Sequence, residues 1–353
     1  MTKEAFQSKV NRLTRLMGVE PKAMSSDIRT ALEQIPCVET SDPEKLCAAP
    51  RVSVRILTYN HERWIAEAIE SVLMQECDFT FEIVIGEDCS TDKTRGICLD
   101  YQKRFPHIIR VLHSDTNVGI ERNSLRTNAR LRGEYVCAFE GDDYWLDTRK
   151  LQKQVDLMRK HPDASLCVAF TKTAHGDGAA QIEQKPPRVK ERLAFRDLHA
   201  YFYHPSARMM TRAYLHQFYA LDTLTFSDTS ILLAASRFGG VVQLPEHLAV
   251  YRCTGTGAFS GAGQLARLRI AMRIASETVV FFYPQHRSFF TQKIFQMAMD
   301  FLGADGNGLS RAERREVFRL ACTLVGGMPT RRVGKALRFL FEYLLPAREG
   351  GRG

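Results

Sequence analysis

From Arg51 onward, short apolar runs alternate with longer stretches whose apolar residues recur at helical spacing. The run RVSVRILTYN, residues 51–60, is rich in β-branched residues and reads as a strand entering a loop. Trp64, Ile65, Ala68, Ile69, Val72 and Leu73 fall on one side of a helix. FEIVIGED (81–88) is a second strand, followed by a helix from Asp92 to Phe105, and IIRVLHS (108–114) is a third. A polar helix from Glu121 to Arg132 leads to EYVCAFE (134–140), a fourth strand. A helix from Leu151 to Lys160 and a fifth strand, ASLCVAF (164–170), complete the alternation.

This order predicts an α/β fold with a mostly parallel sheet covered by helices on both faces. In such sheets ligands bind where strands end and loops begin. The polar loops TYN, GEDCSTD, SDTNVG and EGDDYW each follow a strand. Residues 1–48 read as a short helical extension, 49–262 as the main domain, and 263–353 as a helical region. Within the main domain, Lys172 to Arg192 reads as a long mobile loop and YFYHPSARMMT (201–211) as a return to the sheet. DTSILLAASRFG (228–239) reads as a helix stopped by glycine, and GVVQLPEHLAVYR (240–252) as a closing pair of strands. The glycine- and serine-rich segment 253–263 is expected to be flexible. Ser310 and Glu313 have capping-box spacing, and a last helix carries Val333, Leu337, Leu340, Phe341 and Leu344 on one side.

Composition narrows the class. A hydrophobic fraction of 44% and a charged fraction of 25% are those of an ordinary globular protein. No apolar run is long enough to cross a bilayer, and the first residues lack the apolar core of a signal peptide. Nine cysteines without a CxxC pair suggest reduced thiols and a cytoplasmic location rather than a disulfide framework or zinc site. The excess of 49 Lys+Arg over 40 Asp+Glu is compatible with an anionic surface or a phosphorylated ligand. No nucleic-acid reader motif accompanies it, so nucleic acid is not the expected partner. The basic, partly apolar C-terminal helices fit peripheral contact with an anionic inner-membrane face, or simple packing on the main domain.

Neither GxGxxG after the first strand nor GxxxxGK anywhere offers a phosphate cradle. A carboxylate cluster can instead neutralise a diphosphate by holding Mg²⁺ or Mn²⁺, hard ions that prefer oxygen. Asp142 and Asp143, at the end of the fourth strand, are placed for that; an Asp-rich turn is the plain structural account. Asp92 reads as a helix cap, whereas Asp88 sits closer to its strand end and could accept from a base. Tyr59 offers a ring for stacking. Arg122, Arg126 and Arg130 recur every four residues and share a helix face. A solvated stripe explains such spacing; Arg126 is the member assigned to a donor phosphate.

Taken together, TYN, EDCSTD, NVG before a basic helix, and EGDDYW before KLQKQVDLM resemble the bacterial family 2 glycosyltransferases, of the GT-A fold, from about Arg51 to Ser260. The resemblance implies that Tyr59 and Asp88 contact the base of a nucleotide-sugar, most often a UDP-sugar. Asp142 and Asp143 match the metal and diphosphate motif, with Glu140 leading it. Asp228 matches the general base, and Ser206 falls on the acceptor side. The implied reaction is an inverting, metal-dependent transfer of one sugar to a hydroxyl of a saccharide, lipid-linked or protein acceptor, in cell-envelope polysaccharide or glycoconjugate synthesis. Thr254 stands where relatives often carry His after Tyr-Arg, which keeps a second reading open: a degenerate GT-A protein that binds nucleotide or glycan without turnover. QxxRW, the mark of polymerising members, is absent.

Overall fold

A computed structural model describes residues 2–19, 32–182, 190–199, 201–221, 224, 227–255, 263–304 and 307–324. The chain forms two units: 25–221 with 228–256, and 1–24 with 222–227 and 257–353.

The larger unit is built on a sheet of β1 (Val38–Thr40), β2 (Val52–Thr58), β3 (Phe81–Glu87), β4 (Ile109–His113), β5 (Tyr135–Glu140), β6 (Tyr144–Trp145), β7 (Leu166–His175), β8 (Arg192–Leu193), β9 (Met209–Thr211) and β10 (Val241–Cys253). Their order is β1-β4-β3-β2-β5-β9-β7-β10-β6, with β8 also on β10. β2 pairs in parallel with both β3 and β5, and β3 with β4, as the alternating pattern predicts. From β2 the chain runs outward to β3 and β4, then crosses back to place β5 on the other side of β2. The topological switch point therefore lies between the ends of β2 and β5.

The two faces of β2 are covered differently. Val52, Val54 and Ile56 join one apolar core with Ile65, Ala68, Ile69 and Val72 of the helix Ile65–Leu73. The same core takes Cys98 and Tyr101 from the helix Thr94–Arg104, and Leu151 and Val155 from the helix Lys150–Lys160. Ser53 and Arg55, on the opposite face, are buried but polar. Arg55 donates to Ser124 Oγ at 2.6 Å and Asn128 Oδ1 at 3.3 Å, on the helix Ile120–Asn128. That helix is polar in sequence because its buried face meets a polar sheet face, not because it is solvated. Glu82 anchors the same layer, accepting from Ser53 Oγ at 2.6 Å and Arg110 at 3.1 Å.

Several expectations change. Residues 38–40, expected within a helical extension, form β1, antiparallel to β4. The expected closing strand pair is one 13-residue strand, β10, parallel to β7 along its length with register breaks between Gln243 and Ala249. Pro245 falls within the broken stretch, where a missing N–H costs no ladder bond. The start of the loop expected from Lys172 is strand, since β7 runs to His175 and Thr173 bridges Gln181; residues 183–189 lie outside the described set.

The smaller unit gathers helices from both ends of the chain: Lys3–Leu16, Gln264–Phe281, Arg287–Gly303 and Arg311–Leu324. Residues 1–48 are expected apart from 263–353, whereas the Phe6 and Tyr283 rings meet at a tilt, 5.1 Å between centroids, and Arg12 pairs with Glu316 at 2.9 Å. The Ser310–Glu313 capping box is formed, with Ser310 N donating to Glu313 Oε2 at 2.9 Å. Among the described residues no helix is long and apolar enough to cross a membrane. The expected last helix and most of the flexible segment 253–263 fall outside the described residues.

Candidate functional site

Strands β2, β3 and β5 end at one edge of the sheet, where Tyr59, Asp88 and the turn Gly141-Asp142-Asp143 follow them. Two bonds hold these ends together: Gly141 N donates to Leu57 O at 2.8 Å and Asp88 N to Thr58 O at 3.0 Å. Only glycine fits at 141, because a Cβ there would lie 2.8 Å from Thr58 Oγ1 and 2.9 Å from Ile65 Cδ1. The acidic pair thus starts in close contact with β2, at the switch point.

Asp143 is 2% exposed. Its Oδ1 accepts from the backbone N–H of Arg252 at 2.9 Å, while Oδ2 is buried with no hydrogen-bond partner among the described residues. Burial, with Asp142 and Glu140 beside it, holds its pKa well above the carboxylate range. Asp142 is half-buried, and burial raises its pKa while neighbouring His61 pulls it back. Glu140 is pushed up to about 8, first by burial, with Arg55 opposing and the charges of Asp142 and Asp228 adding. Three carboxyl groups that resist ionisation together are suited to a cation, which would relieve the desolvation and the mutual repulsion at once.

Arg252 fastens this turn and escaped the sequence reading except as the end of Tyr-Arg. Its Nε donates to Asp142 O at 2.9 Å, Nη1 to Gly176 O at 2.7 Å and Nη2 to Glu67 at 2.6 Å. Its guanidinium lies 4.8 Å from the Trp64 ring and 5.2 Å from that of Tyr144. Replacing it with Ala keeps the backbone bond to Asp143 but removes the other three. We expect Arg252→Ala to destabilise the fold by about 3 kcal/mol, measured by chemical denaturation. A loss below about 1 kcal/mol would show that the turn stands without it.

Asp88, expected to contact the base of a donor, has partners within the fold. It is buried, and its two oxygens accept from Val118 N at 2.8 Å and Gly119 N at 2.9 Å. It thereby ties the loop before the polar helix to the end of β3. Arg126 is buried as well, donating from Nε to Asn123, from Nη1 to Pro36 O and Ser114 Oγ, and from Nη2 to Glu87 O. Arg122 and Arg130 are exposed, so the predicted common stripe is divided between core and surface. Asp92 caps its helix as expected, accepting from Thr94 N at 2.9 Å. Tyr59 is 43% exposed, leaving ring surface for stacking.

Next to Asp88, Cys89 has φ +62°, a left-handed conformation that costs a residue with a Cβ about 1 kcal/mol. Cys89→Gly should raise stability by about 0.5–1 kcal/mol in thermal or urea unfolding. An unchanged or lower midpoint would mean that packing of the thiol outweighs the backbone strain.

On the far side of the acidic turn, Asp228 is exposed in the first turn of the helix Asp228–Phe238. Buried Arg208 donates to its backbone carbonyl at 2.8 Å and to Tyr203 O, which fixes the helix start and leaves the carboxylate outward. Ser206 is buried, its Oγ 2.8 Å from His204 Nδ1. His204 stands between Ser206 and Asp143 and was missed, although it lies within the quoted HPSARMM. Its ring stacks on Tyr251 at 4.2 Å.

Comparison with known proteins bears on the fold and the sequence family. The sequence model described as "Glycosyl transferase family 2" matches residues 53–218. An uncharacterized protein of Mycobacterium tuberculosis is 31% identical over 212 residues, 60% of this chain and 61% of that protein. The chain thus spans about 61% of the length of such relatives. Among solved structures, S. aureus TarS 1-349 in complex with UDP superposes with a TM-score of 0.56 at 16% identity, over 83% of this chain and 89% of that one. The mannosyltransferase PcManGT of Pyrobaculum calidifontis, in complex with GDP-Man and Mn²⁺, gives 0.51 at 14%, over 96% and 91%. These two likenesses concern the fold. Residues 53–218 thus match the glycosyltransferase family 2 model, and the fold is the GT-A fold of these two solved glycosyltransferases.

Proposed function

We propose that the protein is an inverting glycosyltransferase, moving one sugar from a nucleoside-diphosphate sugar to a hydroxyl acceptor. The observation that carries this reading is the unpartnered, buried Oδ2 of Asp143 at the switch point, in a turn held by Arg252. Among the described residues no three acidic, His or Cys side chains converge as a complete cage for an ion. That suits a divalent ion held by few side chains together with substrate phosphates. Asp142 and Asp143 would hold Mn²⁺ or Mg²⁺, which when bound stabilises the negative charge of a departing nucleoside diphosphate. The TarS complex with UDP and the PcManGT complex with GDP-Man and Mn²⁺ support a donor and ion of this kind, and UDP is our choice of nucleotide.

Each side chain then has a task. Tyr59 stacks on the base, and Asp88 sets the loop that frames it, with Arg126 locking that loop from below. Asp228 takes the proton of the acceptor hydroxyl as it attacks the anomeric carbon, because an alcohol is a poor nucleophile at neutral pH. A single displacement inverts the configuration. Ser206 acts behind the acceptor wall through His204. Peripheral contact with an anionic membrane falls to the helical unit, where Arg267, Ile270 and Arg273 are exposed on one helix.

The test is release of nucleoside diphosphate from a panel of nucleotide-sugars, with Mn²⁺ or Mg²⁺ and saccharide or lipid-linked acceptors. Metal-dependent release that is lost in Asp143→Asn and Asp228→Asn supports the transferase. Nucleotide binding without release from any donor would instead support a degenerate binding protein.

A further inference from the structure

His204 lies where the acidic turn is incomplete. His204 is 8% exposed, and its Nδ1 is 3.5 Å from the unpartnered Oδ2 of Asp143. The backbone N–H of Ser206 points at Nδ1 from 3.4 Å, so Nδ1 is an acceptor there and the ring proton resides on Nε2. A carboxyl oxygen of Asp143 and a ring nitrogen of His204 therefore lie side by side in a buried place. Two acceptors in that relation repel unless a proton or a cation lies between them.

We propose that His204 is a nitrogen ligand of the cation held by Asp143, and that it biases the site toward Mn²⁺ over Mg²⁺. The proposal rests on the metal-dependent transferase reading above and adds a ligand and a metal preference to it. Both ions favour oxygen ligands, but Mn²⁺, a transition ion at the weak end of the Irving–Williams order, takes a nitrogen ligand more readily than Mg²⁺, which holds to its waters and carboxylates. Three contacts hold the ring in place: Tyr251 stacks on one side, Phe202 lies 5.7 Å away, and Ser206 Oγ is 2.8 Å from Nδ1. This packing preorganises the ligand, and Ser206 supplies the hydrogen bond that Nδ1 exchanges for the ion.

The experiment is pulsed EPR of Mn²⁺ on the full chain, with and without UDP. Protein labelled with ¹⁵N-histidine would distinguish imidazole nitrogen from other sources. Alongside it, Mn²⁺ and Mg²⁺ affinities of wild type, His204→Gln and Asp143→Asn would be measured by titration. We expect a nitrogen coupling in wild type that changes with the label. In His204→Gln, Mn²⁺ affinity should fall at least about 10-fold, with Mg²⁺ affinity changed much less. The wild-type spectrum needs no variant to fold, and circular dichroism checks the variants. Mn²⁺ bound through Asp143 without nitrogen coupling would overturn the role of His204 and leave the transferase reading intact. An equal loss of affinity for both ions in His204→Gln would overturn the metal preference. Failure of wild type to bind Mn²⁺ even with UDP would overturn both the ligand and the metal-dependent reading on which it rests.

Discussion

Asp228→Asn should lower kcat by about 10³-fold while leaving the affinity for donor nucleotide within twofold. General-base catalysis is worth about 10²–10⁴-fold, and an amide of nearly equal size cannot take a proton. The structure separates this effect from misfolding. Arg208 grips the backbone carbonyl of Asp228 and not its carboxylate, so the substitution leaves the start of the helix in place. The remaining structural cost is the loss of a negative charge in the first helical turn, about 0.3–1 kcal/mol, which a melting curve would detect. The informative comparison is transfer to acceptor against slow hydrolysis of donor by water. A general base for the acceptor hydroxyl predicts a large loss in transfer and a smaller loss in hydrolysis. Equal loss in both would place Asp228 on the donor side. Unchanged transfer would reduce it to a helix-capping residue.

What the sequence made legible follows from which signals are local. The parallel core was readable because each of its strands is a compact apolar run with a helix of regular period beside it, as in RVSVRILT followed by Ile65 to Leu73. The positions of Asp142 and Asp143 followed from the same logic, since any residue just after β5 must lie at the sheet edge. The single strand β10 was not readable: Pro245 and the polar residues around it look like a turn, and only the neighbouring β7 shows that the chain continues in the same direction. β1 was hidden because three residues, Val38–Thr40, carry no period, and the sheet edge of β4 decides their conformation.

The site divides along the same line. Tyr59 and Asp228 kept surfaces suited to their expected tasks, because exposure of a loop-end ring or a first-turn carboxylate needs no distant partner. Asp88 and Arg126 also have partners that a local pattern does not show, since Val118, Gly119, Pro36 and Ser114 come from other segments. Arg252 and His204 were the reverse case. Each is unremarkable in its own stretch and gains its meaning from Asp143, which lies 109 residues before Arg252. Residues that complete a polar site are fixed by tertiary neighbours, so a local pattern has little to say about them.

Asp143→Asn should abolish metal-dependent turnover, lowering kcat/KM by at least about 10³-fold, the scale of losing a metal or a comparable electrostatic stabiliser. The same substitution should stabilise the metal-free protein. Asparagine keeps an oxygen for the Arg252 N–H and places an amide donor where Oδ2 now faces His204 Nδ1, so both positions become satisfied. One added hydrogen bond and one removed buried charge together amount to about 1–2 kcal/mol at pH 8. The sign with pH follows from the raised pKa of Asp143 and of Glu140 at about 8. A carboxyl whose folded pKa lies above its unfolded value favours the folded state when protonated, so stability falls as pH rises from about 4 toward 8. The variant loses this decline at position 143, so its advantage is small near pH 4 and grows as the pH rises. Mn²⁺ should reverse the order. At 100-fold over its Kd the ion stabilises wild type by about 2.7 kcal/mol, and the variant gains nothing. Melting curves at pH 5 and pH 8, with and without Mn²⁺, would show the two midpoints crossing. A variant less stable than wild type without metal, or one that gains equally from Mn²⁺, would mean that Asp143 is held by the fold for its own sake and that the ion binds elsewhere.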